Sequence, residues 1–216
     1  MEKTYRSTRS NARGTVPVPI PADEYPDVPI ITRPTFDSYI SFDVETTGFS
    51  PSKDSLTEIG AIRVVNGVID ESERFIFSEL VKPYKKRIPE IVEQITGITN
   101  EDVKNKRQMW EVVTDFLDFA GDDVLLGYNS AKFDIKFLIR AARYAGIIIQ
   151  NPVFDVMKYA VELKVSPKGK RVPSLGDLSE YYSIRNPSAH RAYADAITTA
   201  RVFERLKAED NTYSLF

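Results

Sequence analysis

The chain has 216 residues, 42% of them hydrophobic and 28% charged, which is length and composition enough for one domain with a sizeable core plus additional material. A formal net charge of -2 excludes a protein that coats nucleic acid by bulk positive charge, and the lack of cysteine excludes disulfides and thiolate metal sites. No apolar run has the length of a membrane helix and no secretory h-region opens the sequence, so a soluble, cytoplasmic protein without a membrane partner is expected.

Residues 1–35 read as an arm. Lys3, Arg6, Arg9 and Arg13 make its start basic, and Pro17, Pro19, Pro21, Pro26, Pro29 and Pro34 forbid a regular helix or an interior strand. A solvated, polyproline-like tail is the expectation, with contact to a nucleic-acid backbone as the alternative. The compact domain then runs over 36–210, and 211–216 form a C-terminal tail.

Within the domain, residues 39–46 have the alternation of a strand. Residues 58–65 and 68–80 are strand-like and meet at Asn66-Gly67, a dipeptide suited to a two-residue hairpin because both positions tolerate positive φ. Residues 89–95 suit a short helix and Thr99 begins another turn. Residues 108–119 place Trp110, Val113, Phe116 and Leu117 at helical spacing. A short buried strand is expected over 124–127, then a helix over 131–145 stopped by Gly146. Val153 and Phe154 suit a last strand, followed by helices over 155–163, 174–182 and 193–207. Three antiparallel strands followed by parallel ones alternating with helices give an α/β fold, a mixed five-stranded sheet flanked by helices.

The chemistry concentrates in Phe42-Asp-Val-Glu-Thr-Thr-Gly48. Strand alternation puts Asp43 and Glu45 on one face while Phe42 and Val44 enter the core. Neighbouring carboxylates repel, so the pair makes sense when a hard divalent cation shares their oxygens. Asp134 follows the 124–127 strand. His190 and Asp195 are five residues apart, about 140° around a helix if both were helical. The better arrangement sets His190 on the loop after Pro187 and Asp195 in the first turns of the next helix. Taken singly, Asp134 reads as a solvated helix residue and a lone histidine as incidental; their combination gives them meaning. Glu58 and Asp155 read as structural.

In this order the motifs resemble the DEDDh group of 3'-5' exonucleases, the family of the DNA polymerase III epsilon subunit and of PolC-type proofreading domains. The matching pieces are 42–48, Thr57-Glu-Ile-Gly-Ala61, Ile95-Thr-Gly-Ile98, Asn129 to Asp134 and His190 to Asp195. Tyr128 stands where many relatives have histidine, and Arg191 stands where the tyrosine branch of the family would need its tyrosine. The resemblance implies a ribonuclease H-like fold and two Mg2+ or Mn2+ ions. Asp43 would bridge them, Glu45 and Asp195 would complete one site, Asp134 would hold the second ion, and His190 would act as general base. It also implies a DNA 3' end as substrate, contacted through Thr46, Thr47, Gly48 and Asn129, and a DNA polymerase or replisome as partner.

That chemistry is physically coherent. Two cations about 3.5–4 Å apart can activate water and stabilise the leaving oxygen together. Histidine side chains titrate near neutral pH, which suits proton transfer. Phe49 could stack on the last base, a contact of about 1–3 kcal/mol, or simply cover the core. Ile95 leans toward the nucleotide pocket, and the basic run Lys82-Pro-Tyr-Lys-Lys-Arg87 toward a solvated loop, with contact to the substrate backbone as the alternative. The expected activity is release of nucleoside 5'-monophosphates from single-stranded or frayed DNA, in proofreading or repair. An RNA 3'-end trimmer like ribonuclease T or oligoribonuclease is the enzyme rival, and a non-catalytic nucleic-acid-binding module the second rival.

Overall fold

The computed structural model describes residues 27–213, with side chains through Asp210. Its strands are β1 (Ile30–Ile31), β2 (Tyr39–Thr46), β3 (Leu56–Val65), β4 (Val68–Ile69), β5 (Ile76–Leu80), β6 (Val124–Gly127) and β7 (Val153–Asp155). The helices are α1 (Glu90–Thr96), α2 (Asn100–Val103), α3 (Met109–Ala120), α4 (Asp134–Ala145), α5 (Val156–Glu162), α6 (Leu175–Tyr181) and α7 (Ala192–Tyr213). One sheet runs β1-β7-β6-β2-β3-β4, and β5 also pairs with β3. β2, β3 and β5 are antiparallel neighbours, whereas β6 joins β2 and β7 joins β6 in parallel. The five-stranded mixed sheet expected from the sequence is therefore present, with the two-residue strand β1 added at its rim and the third expected strand divided into β4 and β5.

Alternation along β2 decides which layer packs where. Ile40, Phe42 and Val44 are buried toward α3 and α4 in one core, where Phe42 and Phe77 both meet the Phe116 ring. Tyr39 faces the other core with α5, α6 and α7, and its ring stands edge-on to Phe203 at 5.2 Å. Each such fully buried side chain contributes about 1.5–3 kcal/mol. The two cores clamp the sheet from both sides.

Three expectations shift. At the hairpin, Asn66 and Gly67 do take φ of 52° and 73°, pairing Val65 with Val68. The expected continuous 68–80 strand, however, breaks after Ile69. Asp70 accepts a hydrogen bond from the Ser72 N–H at 2.9 Å, and a helical turn over Glu73–Phe75 intervenes before β5 re-pairs with β3. Second, α4 begins three residues later than read, because Asn129 adopts φ 57° and residues 130–133 form a tight turn. Third, Ile30 and Ile31 pair in parallel with Val153 and Phe154. The sheet thus reaches into the stretch assigned to the arm. Proline remains compatible there because β1 is an edge strand, and Pro29 offers its carbonyl to Val153 N at 2.7 Å. The basic start of the arm and the end of the C-terminal tail lie outside the described residues. No helix among the described residues is long and apolar enough to cross a membrane.

Candidate active site

β2 and β6 run in parallel, so the carboxyl end of β2 opens at the same edge of the sheet as the 128–133 turn. That edge is where crevices form in α/β sheets. Asp43 pairs in register with Gly60 and Glu45 with Glu58, and a bulge after Glu45 ends the regular ladder. Asp43 and Glu45 are both half-buried on this rim.

Asp134 reaches the rim as the first residue of α4. It is buried, and its Oδ1 lies 3.3 Å from the Val44 N–H, between the two acids of β2. The 128–133 turn that delivers it is anchored by Asp155, which accepts from Asn129 N at 3.1 Å while capping α5 through Met157 N. Gly127 permits this turn to fold tightly, since a Cβ there would lie 2.5 Å from that of Ser130. The structural reading of Asp155 thus agrees with its position. Tyr128 sends its hydroxyl to the Pro173 carbonyl at 2.7 Å.

Asp195 comes from the first turn of α7, on the opposite side of the cup. Its Oδ2 accepts the His190 N–H at 3.0 Å and its Oδ1 accepts from Asn186 Nδ2. His190 sits on the loop before α7 with φ 66°, exposed to solvent. One ligating atom each from Glu45, His190 and Asp195 lie within 4.8 Å of one another. The segments carrying Asp43, Glu45, Asp134, His190 and Asp195 therefore converge.

The scaffold of α7 depends on residues whose importance the sequence hides. Glu58 is fully buried and takes a bidentate ion pair from Arg191 together with the Ala192 N–H at 2.9 Å. Gly60 lets the helix start lie on the sheet, since a Cβ there would be 2.0 Å from Tyr193 N. Ser41 adds a bond from Oγ to the Ala196 carbonyl at 2.7 Å. The Thr57-Glu-Ile-Gly-Ala61 motif was the available signal, but what it supports is visible only once α7 crosses it.

Electrostatics follow from the crowding. Burial, then Asp134, Glu45, Asp195 and Glu58, raise the Asp43 carboxyl far above the usual carboxylate range. Burial and then Asp195, Glu58 and Asp134 push Glu45 up to about 8, against a lowering by Arg191. Burial pushes Asp134 up to about 7, and burial also raises Asp195. Such a cup either holds protons or needs a compensating cation. Arg191, the neighbouring guanidinium, is committed to Glu58. An all-oxygen set plus one imidazole suits Mg2+ or Mn2+, so the residues fit the metal ions that the sequence implies.

The surrounding positions divide. Thr46 Oγ donates to the Gly48 carbonyl at 2.7 Å, while Thr47 Oγ accepts from Ser55 N and contacts Asp54. Both threonine hydroxyls thus shape the loop internally. Gly48 rests on the Asp54 carboxylate, which a Cβ would approach to 2.7 Å. Phe49 is 90% exposed, its ring tilted against Phe133 at 6.2 Å; it is not a core cover. Ile95 is 52% exposed on α1, and Ile98 is buried with Ile88 and Val103 in a small separate cluster.

The profile of the exonuclease family matches residues 40–203. The DNA polymerase III epsilon subunit of Aquifex aeolicus is 34% identical over 173 residues, covering 80% of this chain and 81% of that subunit. The PolC-type DNA polymerase III of Clostridium perfringens is 36% identical over 177 residues, but the chain spans only 12% of its length. Among solved structures, a zinc-bound complex of E. coli exonuclease I with single-stranded DNA superposes with a TM-score of 0.69 at 20% identity, over 80% of this chain and 41% of that one. Exonuclease X bound to 5'-overhanging duplex DNA gives 0.61 at 22% identity, over 80% and 93%. At these identities the structural likeness speaks for a shared fold, that of the ribonuclease H-like exonucleases.

Proposed function

Because the chain belongs to the exonuclease family, we propose that it is a divalent-metal-dependent 3'-5' exonuclease that releases nucleoside 5'-monophosphates from DNA ends. The observation that carries this reading is the meeting of Asp43, Glu45, Asp134 and Asp195, all raised carboxyls, beside the His190 ring. Two Mg2+ or Mn2+ ions would supply the positive charge for the phosphoryl and leaving oxygens. Asp43 would serve both ions, Glu45 and Asp195 would help to hold one, and Asp134 would hold the other.

His190 takes the proton of the attacking water. Its loop position leaves the ring accessible, and its backbone N–H bond to Asp195 keeps it next to the carboxylates. The 46–49 loop supplies a rigid wall and Phe49 a face on which the terminal base stacks. The DNA assignment rests on the relatives being a DNA polymerase III epsilon subunit and PolC-type DNA polymerase III, and the likeness to the subunit suggests a DNA polymerase as partner.

Matched 5'-labelled DNA and RNA oligonucleotides with Mn2+ test the reading. Shortening from the 3' end, faster on DNA, with nucleoside 5'-monophosphate as product, is expected. Faster loss of RNA overturns the substrate, and products with 3'-phosphates overturn the chemistry. Asp43→Ala should lower kcat by at least about 10³-fold while the protein stays folded.

A further inference from the structure

Beside the acidic cup lies a second concave feature that the proposed chemistry does not use, a cavity of about 570 Å³ between the 82–87 loop and α2. Lys82, Lys86, Arg87 and Lys104 line it, against Glu93 and Glu101. The two acids are already engaged. Glu93 accepts from Asn100 N and Nδ2, at 2.7 and 2.6 Å, and Glu101 pairs with Lys104. Lys86 is turned to Asp54. That leaves Lys82 and Arg87 exposed, with no carboxylate partner among the described residues. In a chain of net charge -2, this is a local reversal of sign.

Its position relative to the cup is fixed by contacts. Tyr84 N donates to Ser55 Oγ at 2.8 Å, and Val81 N to the Thr57 carbonyl at 2.8 Å, so the basic loop is tied to β3 and the end of the 47–55 loop. The Lys86–Asp54 pair leads directly to Gly48, which packs on that same carboxylate. One loop therefore has Thr46 to Phe49 on the side of the acids and Asp54 on the side of the cations.

We propose that this cleft holds phosphates of the polynucleotide strand upstream of its 3' end, with Lys82 and Arg87 as the phosphate contacts. The proposal rests on the exonuclease reading. An acidic cup cannot itself attract a polyanion at long range, whereas cations on an adjoining wall that have no carboxylate partner among the described residues can release counterions from the strand and hold it without regard to sequence. Lys86, already paired, positions the loop and is not a contact.

The test compares Lys82→Gln/Arg87→Gln with the parent, both carrying Asp43→Ala so that no strand is cut. Fluorescence anisotropy follows a labelled 20-nucleotide single strand over a range of salt. The variant should bind roughly tenfold more weakly at low salt, and its plot of log affinity against log salt should flatten by about 1.4 for two lost phosphate contacts. Lys158→Gln/Lys164→Gln removes the same charge from exposed positions on and just after α5 and should leave the slope unchanged. Equal affinity and slope in variant and parent, or no binding by either, overturn the cleft. Hydrolysis of the p-nitrophenyl ester of thymidine 5'-monophosphate by the wild-type protein is read separately. It needs the acids and no upstream strand, so its failure would count against the exonuclease reading alone.

Discussion

Glu45 and Glu58 stand directly opposite each other across β2 and β3, an arrangement that is unfavourable between two ionised acids. The fold separates their roles by giving Glu58 to Arg191 and Ala192 N and leaving Glu45 to the cup. Glu58→Gln should then cost about 1–3 kcal/mol in urea denaturation, because Arg191 keeps partial solvent access while losing its charged partner. It should also weaken Mn2+ binding, since the start of α7 carries Asp195. An unchanged denaturation midpoint would show that the pin contributes nothing. Asn186 acts more locally. Its amide lowers the Asp195 pKa against the raising effect of burial. Asn186→Ala should therefore raise it further, and protons should compete with Mn2+ up to a higher pH. Isothermal titration at several pH values would register this as an upward displacement of the binding profile, and coincident profiles would refute it.

Between elements, α7 lies hard against β3 at Gly60. A methyl group there has no room, because the obstacle at 2.0 Å is the backbone of Tyr193 and not a movable side chain tip. Gly60→Ala should push the helix start off the sheet, destabilise by about 1–3 kcal/mol or more, and reduce turnover well beyond the loss of folded protein. Denaturation and oligonucleotide degradation measured on the same samples would separate the two effects. Wild-type activity per folded molecule would mean that α7 tolerates displacement. None of this was readable from Gly60 in the chain, where an isolated glycine within a strand pattern suggests only some close approach. What was readable depended on local chemistry: Asn66-Gly67 needs positive φ, Gly146 ends α4, and β2 alternates. The spacing of His190 and Asp195 likewise set one on a loop and the other on a helix. The misses have local causes too. Asp70 bends the chain through its own side chain, Asn129 delays α4 by going left-handed, and β1 gains its pairing from β7, far away in sequence.

For the molecule as a whole, the near-neutral charge conceals an acidic cup whose cost depends on pH. An acid with a folded pKa above its unfolded value binds its proton more tightly when folded. It imposes no penalty below the unfolded value, and its penalty grows as pH rises toward the folded one. For Glu45 that window runs from 4.5 to about 8, and for Asp134 from 3.8 to about 7. Asp177 and Asp54, held below the usual range by Lys170 and Lys86, behave in the opposite sense, and their stabilisation is lost only as pH falls below the ordinary carboxylate value. Above about pH 4.5 the raised acids therefore set the trend, and the metal-free protein should lose stability toward about pH 8. Divalent cations bound in the cup would replace the protons, adding about 2.7 kcal/mol at a hundredfold excess over Kd. Scanning calorimetry in EDTA and in Mn2+ should show melting temperatures nearly equal at about pH 5 and well separated at about pH 8. Asp43→Asn removes a charge that the cup must otherwise neutralise, so it should flatten the EDTA profile and shrink the Mn2+ increment together. If the EDTA and Mn2+ profiles ran parallel, the carboxyls of β2, α4 and α7 would not share a cation, however close they lie.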